Sequence, residues 1–70
     1  MKLLIVFEKS RTGYAAYAPD LPGCIATGRT RGEVERAMRE AVAFHLDGMR
    51  EDGLPIPELT TEATVLDIPA

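Results

Sequence analysis

The fold is decided by one continuous stretch, residues 30–53, with the sequence TRGEVERAMREAVAFHLDGMREDG. Thr30 and Glu33 have the S/T-x-x-E spacing of a capping box, which starts a helix. Apolar residues then recur at the spacing of one helical face, namely Val34, Ala37, Met38, Ala41, Val42, Leu46 and Met49. Because Gly53 suits the position after a helix end, the stretch predicts a helix over about residues 31–52, long enough to cross a small sheet.

Three short apolar segments precede this helix, and a fourth follows it. Residues 2–8 contain a nearly unbroken apolar run, which predicts a strand with neighbours on both sides. Residues 14–18 and 24–28 predict two further strands, bounded by polar and Pro-Gly turns. Residues 61–68 predict a weaker last strand, which we place beside the first. The expected fold is therefore α+β, in the order β-β-β-α-β, with a small, mostly antiparallel sheet and one long helix on one face.

Length and composition restrict the class of protein. Seventy residues predict a single domain, and a hydrophobic fraction of 46% excludes wholesale disorder. The net charge of −3 argues against a basic nucleic-acid-binding surface. The chain has neither an apolar run of the roughly 18 residues that a membrane span needs nor the start of a signal peptide, so we expect a cytoplasmic protein. One cysteine, Cys24, excludes an internal disulfide and a cysteine-based zinc site.

Both faces of the predicted sheet are apolar, although one helix covers only one of them. In the first strand the odd-numbered apolar residues point to one face and the even-numbered ones to the other. An uncovered apolar face is typical of an interface, so we expect a homo-oligomer, either a dimer or a tetramer. Gly48 lies inside the predicted helix. Either it lets another element approach the helix closely, or it has no such role and the helix tolerates its low helix propensity. The residues expected at the interface are Leu4, Val6, Tyr17, His45 and Gly48.

A second motif is the loop Pro19-Asp20-Leu21-Pro22-Gly23-Cys24, whose Pro-Gly pair fits the centre of a type II turn. Three other stretches accompany it, namely Gly28-Arg29-Thr30, Glu40-Ala41-Val42-Ala43-Phe44-His45-Leu46 and Glu51-Asp52-Gly53-Leu54-Pro55-Ile56-Pro57. Together these motifs resemble the HicB family, the antitoxins of type II toxin–antitoxin systems. The resemblance covers essentially all of residues 1–70, as one HicB-like domain. It implies a reduced ribonuclease H-like fold in the same β-β-β-α-β order.

The resemblance also implies a partner. HicA toxins are small basic RNA-cleaving proteins, and a HicB antitoxin binds its toxin and masks it. We therefore expect a non-enzymatic protein that acts on a HicA-like toxin through protein–protein contacts. Family members usually carry a C-terminal DNA-binding domain, and residues 1–70 contain no segment for one after the last predicted strand. We therefore expect no DNA binding by this chain alone.

Three side chains have both a chemical and a structural interpretation. His45 lies in the apolar stripe of the helix. It is either a metal ligand, an acid–base group or a packed histidine, and no second metal-binding residue stands at helical spacing from it. Asp20 either joins Glu8 and Glu40 in a metal site or caps the turn that follows it. Cys24 is either a nucleophile, which needs a nearby base, or a small buried thiol. We expect the structural role in each case, and hence no catalytic residue, metal or cofactor.

Two other functions stay open as alternatives. An oligomer without a toxin partner could bind a small molecule at a subunit boundary near His45 and Tyr17. The chain could also bind nucleic acid, which is the weakest hypothesis because its arginines are few and scattered.

Overall fold

The sheet consists of three strands, and a single helix packs on one of its faces. The computed structural model describes residues 1–69. Strand β1 comprises Val6–Lys9, β2 Tyr14–Tyr17 and β3 Ile25–Gly28, and helix α1 comprises Arg31–Glu51. The strands are antiparallel, in the order β1-β2-β3. This arrangement confirms the predicted α+β class, with an antiparallel sheet followed by one long helix.

The strands are shorter than the apolar segments that contain them. The β1–β2 ladder runs from Val6 opposite Tyr17 to Lys9 opposite Tyr14. After Tyr17 the chain leaves the ladder and enters the Pro-Gly loop, so the residues before Val6 have no partner on that side. Residues 2–5, which were predicted to belong to the first strand, therefore lie outside the sheet.

Helix α1 has a defined cap at each end. Oγ1 of Thr30 accepts a hydrogen bond from the backbone N–H of Glu33 at 3.1 Å, and Oε2 of Glu33 accepts one from the N–H of Arg29 at 3.1 Å. After the helix, Gly53 adopts the left-handed conformation, with a φ of 68°, and donates to the carbonyl of Arg50 at 3.1 Å. Residues 1–69 hold no helix that could cross a bilayer.

The core lies between α1, β2, β3 and the loop that joins these two strands. Its buried residues are Ala16, Ala18, Leu21, Cys24, Val34, Met38 and Leu46. The sheet contributes small side chains such as Ala16, which allow the helix to lie close to the strands. The helix packs mainly on β3 and β2. As a result, β1 is both an edge strand and the strand that the helix covers least.

The predicted fourth strand, residues 61–68, is absent, and residues 54–69 contain no strand. This prediction was wrong because a segment with strand-forming residues becomes a strand only when its backbone groups find a partner. Every residue from Glu58 to Pro69 is exposed. The radius of gyration is 13.9 Å, against roughly 11 Å for a compact chain of this length, which agrees with a segment leaving the body of the molecule. We call residues 62–69 the C-terminal arm.

Candidate interaction surface

The face of the sheet turned away from α1 carries an apolar row across all three strands. Val6 of β1 pairs with Tyr17 of β2, and Tyr17 pairs with Ile25 of β3. Side chains alternate between the two faces of a strand, and Ala16, next to Tyr17, points to the other face and is buried in the core. Tyr17 is 39% exposed and Ile25 66%. We call the row of Val6, Tyr17 and Ile25 the open sheet face, and its apolar exposure is typical of an interaction site.

Two of the predicted interface residues, Val6 and Tyr17, lie in this row. Leu4, two residues before Val6, lies outside the sheet and lines a shallow depression with Thr61. Ile25 is the most exposed residue of the row, and the sequence prediction missed it. The signal for it is the alternation of the third strand, because the buried Cys24 immediately before it leaves Ile25 to point outward.

The other two predicted interface residues, His45 and Gly48, lie on α1, on the opposite side of the sheet from Tyr17. Both are half-buried. Outside the helix's own backbone, a Cβ atom on Gly48 would meet no atom of residues 1–69 within 4 Å, so none of the other described elements approaches it closely. A single chain therefore does not bring His45 and Tyr17 together around one pocket.

The loop from Pro19 to Cys24 is a compact turn fixed by backbone hydrogen bonds. The N–H of Cys24 donates to the carbonyl of Leu21 at 3.1 Å, and Gly23 between them has a φ of 83°, as a type II turn requires. The N–H of Ala18 donates to the carbonyl of Cys24 at 3.2 Å and closes the base of the loop. Leu21 is 0% exposed, so this motif anchors the loop in the core.

Asp20, in the same loop, holds the C-terminal segment. Its Oδ2 accepts a hydrogen bond from the backbone N–H of Thr61 at 3.2 Å, and its Oδ1 accepts one from the Thr61 hydroxyl at 2.7 Å. The sequence interpretation that Asp20 caps the following turn was therefore wrong. Glu8 and Glu40 do not join Asp20 in a metal site, since residues 1–69 contain no group of three or more His, Cys, Asp and Glu side chains placed to hold a metal ion.

Cys24 is a free, buried cysteine at the end of this loop. Burial raises the pKa of its thiol, because the thiolate is poorly solvated in the core. A thiol that stays protonated is a weak nucleophile. The position of Cys24 is thus that of a small apolar side chain in the core.

A groove of about 640 Å³ separates the first residues of the chain from α1. One wall consists of alternate residues of the N-terminal run, namely Leu3, Ile5 and Phe7, and the other wall consists of Met38, Val42 and Leu46. The charged residues at this groove are Glu35, Arg39, Asp47 and Arg50. It exists because α1 lies over β2 and β3, whereas no strand follows β1 at the edge of the sheet. We call it the β1–α1 groove.

Arg31 of α1 contacts Phe7, which belongs to the β1 wall of the groove. Its guanidinium carbon lies 3.7 Å from the centre of the Phe7 ring, a cation–π contact between the helix and β1. The same guanidinium donates a hydrogen bond to Oε1 of Glu35 at 2.9 Å. This bond, together with the charge of Arg31, lowers the pKa of the Glu35 carboxyl. Arg31 therefore links the start of α1 to the edge strand.

Comparison with known proteins identifies relatives of this chain. The family model described as "HicB_like antitoxin of bacterial toxin-antitoxin system" matches residues 3–69. An uncharacterized 14.9 kDa protein of Haemophilus phage HP1 is 41% identical over 77% of this chain and 41% of the phage protein. Antitoxin HicB 2 of Photorhabdus laumondii is 31% identical over 100% of this chain and 51% of the antitoxin. The chain thus spans about two fifths of the phage protein and about half of the Photorhabdus antitoxin. A solved structure, the "HicA3 and HicB3 toxin-antitoxin complex", matches with a TM-score of 0.67 and 27% identity, over 84% of this chain and 72% of that one.

Proposed function

Because the chain belongs to the family of HicB-like antitoxins, we propose that it is an antitoxin that binds a small HicA-like RNA-cleaving toxin through protein–protein contacts. The observation that carries this proposal is the open sheet face, an apolar row on which Ile25 is 66% exposed and Tyr17 39%. We propose that the toxin docks on Val6, Tyr17 and Ile25. The similarity to a chain solved in a toxin–antitoxin complex supports a partner of this kind.

The open sheet face has the properties of a protein-binding surface. Its three residues come from paired strands, so the backbone that presents them is rigid. Tyr17 offers an aromatic ring with a polar hydroxyl, the kind of side chain that is enriched among the strongest contacts of interfaces. In the next row of the same face, Glu8 lies opposite Ala15 and adds negative charge. With a net charge of −3 for the whole chain, this favours association with a basic toxin.

We propose that the chain acts by binding and not by catalysis. The thiol of Cys24 is buried, and both oxygens of Asp20 already accept hydrogen bonds from Thr61. His45 is half-buried on the far side of the sheet from the open sheet face. We further propose a cytoplasmic location, because the RNA that such a toxin cleaves is found there.

Isothermal titration of the full chain with a purified HicA-like toxin from the same genome tests the proposal. We expect Ile25→Asp to weaken binding at least tenfold, which corresponds to about 1.4 kcal/mol or more, because it places a charge within the apolar contact. The 66% exposure of Ile25 means that the fold tolerates the change. The matched control is Phe44→Asp, at a residue of α1 that is 83% exposed and lies on another surface. Absence of binding by the unmodified chain would contradict the antitoxin role, whereas equal affinities of the Ile25→Asp chain and the unmodified chain would exclude the open sheet face.

A further inference from the structure

The C-terminal arm and the β1–α1 groove both lack a partner within the described chain. We propose that two copies of this protein form a dimer by exchanging their arms. In this dimer, residues 62–69 of each copy add as a strand to the outer edge of β1 in the other copy, and their apolar side chains fill its groove.

The receiving site is an open sheet edge beside an apolar groove. Within residues 1–69, β1 has no neighbouring strand on its outer side, so the backbone N–H and C=O groups there have no ladder partner. The apolar side chains of Leu3, Ile5 and Phe7 form one wall of the groove and are only half-buried. An added strand would pair with that edge and would lie under the part of α1 that carries Val42 and Leu46. It would therefore satisfy the backbone and cover the half-buried side chains of Leu3, Ile5, Phe7 and Val42.

The arm contains the apolar residues of the segment that was predicted to form a fourth strand. Val65 is 94% exposed, Leu66 70% and Ile68 74%, so three large apolar side chains lie in solvent. Since side chains alternate along a strand, Leu66 and Ile68 share one face, and we assign this face to the groove. The eight residues of the arm span roughly 26 Å when extended, and residues 1–7 span roughly 23 Å. The arm is thus long enough to run along the groove wall that Leu3, Ile5 and Phe7 form.

The attachment of Thr61, the residue before the arm, favours a second copy as the molecule whose groove the arm fills. Thr61 is fixed to Asp20 by two hydrogen bonds, next to the depression that Lys2 and Leu4 line. Beyond this point the arm is exposed and does not return to its own β1 edge. When two copies exchange arms about a two-fold axis, each gives one arm and receives one, which closes the assembly at a dimer. The exchange leaves the open sheet face free, so it does not depend on toxin binding.

Sedimentation velocity of the full chain over a concentration series tests this proposal. We expect a dimer for the unmodified chain. The double variant Leu66→Asp/Ile68→Asp is expected to raise the dissociation constant on the order of a hundredfold, because two charges would enter the groove. Both positions are exposed in the single chain, so circular dichroism should show an unchanged helix content. The control Phe44→Asp, at an exposed residue outside arm and groove, should stay dimeric.

Hydrogen exchange identifies the surface that the dimer uses. The amides of residues 3–7 that point to the outer side, away from β2, should exchange slowly in the unmodified dimer and fast in the Leu66→Asp/Ile68→Asp variant. The proposal is overturned by an unmodified chain that is monomeric throughout the series, by a double variant that stays dimeric, or by a Phe44→Asp chain that dissociates. Fast hydrogen exchange of these outward-pointing amides in an unmodified dimer would overturn the proposal as well.

Discussion

Asp20 and Thr61 lie 41 positions apart in the sequence and are joined by two hydrogen bonds, at 3.2 Å and 2.7 Å. Among the described residues, the other hydrogen bonds that involve side chains connect residues only three or four positions apart. The Asp20 carboxylate therefore fixes the segment after α1 against the loop between β2 and β3. It also determines where the C-terminal arm leaves the body of the molecule.

Removal of this carboxylate should release the C-terminal segment. We expect Asp20→Ala to lower the free energy of unfolding by about 1 kcal/mol, because two partly solvated hydrogen bonds are lost. The amide of Thr61 should then exchange with deuterium much faster. Asp47→Ala is the control, because Asp47 forms only an exposed pair with Arg50 at 3.3 Å. Equal effects of the two variants in urea denaturation would show that Asp20 does not hold the segment.

Gly13 is required where the β1–β2 turn passes the end of β3. A Cβ atom there would lie 2.2 Å from the carbonyl oxygen of Gly28 and 2.9 Å from the Cα of Arg29. Both are backbone atoms, so Gly13→Ala should destabilise the fold by about 2 kcal/mol through overpacking. Thermal denaturation measures the loss, with Gly32→Ala as the control because a Cβ on Gly32 meets no atom within 4 Å. A Gly13→Ala protein as stable as the unmodified chain would disprove this close approach.

Gly48 should be replaceable with a gain in stability. A Cβ at this helical position enters open space. Gly48→Ala should therefore raise the free energy of unfolding by about 1 kcal/mol through helix propensity. Urea denaturation and sedimentation, carried out together, check this prediction. If the substitution instead weakened self-association, another chain would have to pack against Gly48, and the arm exchange would not be the only contact between copies.

Burial of Cys24 should make the fold sensitive to alkaline pH. The folded pKa of the thiol is raised above its ordinary value of 9.0, so the folded state holds the proton more tightly than the unfolded state. This contribution to stability is fully present below pH 9.0 and is lost as the pH rises from 9.0 through the folded pKa. Unfolding measured between pH 8 and 11 should show a steeper loss for the unmodified chain than for Cys24→Ala. Parallel curves would mean that the thiol is not buried in solution.

The elements that form locally were predictable from the sequence. The helix is specified by its cap at Thr30, its apolar period and Gly53, and each signal acts within a few residues. The fourth strand and the role of Asp20 were not predictable in this way. Strand formation over residues 61–68 requires pairing with a backbone edge far away in the sequence, and Asp20 finds its partner only after the chain has folded back. The open sheet face was predictable only in part. The alternation of side chains along each strand indicates which residues point to this face, but it does not indicate which partner covers them.

The most direct test of the antitoxin role is the rate of RNA cleavage by a HicA-like toxin from the same genome, measured as the full chain is added. The proposal predicts that cleavage stops when the chain reaches about the molar amount of the toxin, and that Ile25→Asp shifts this point to at least tenfold higher concentration. The Phe44→Asp control should inhibit as well as the unmodified chain. Cleavage that continues unchanged with the chain in large excess would contradict the proposal.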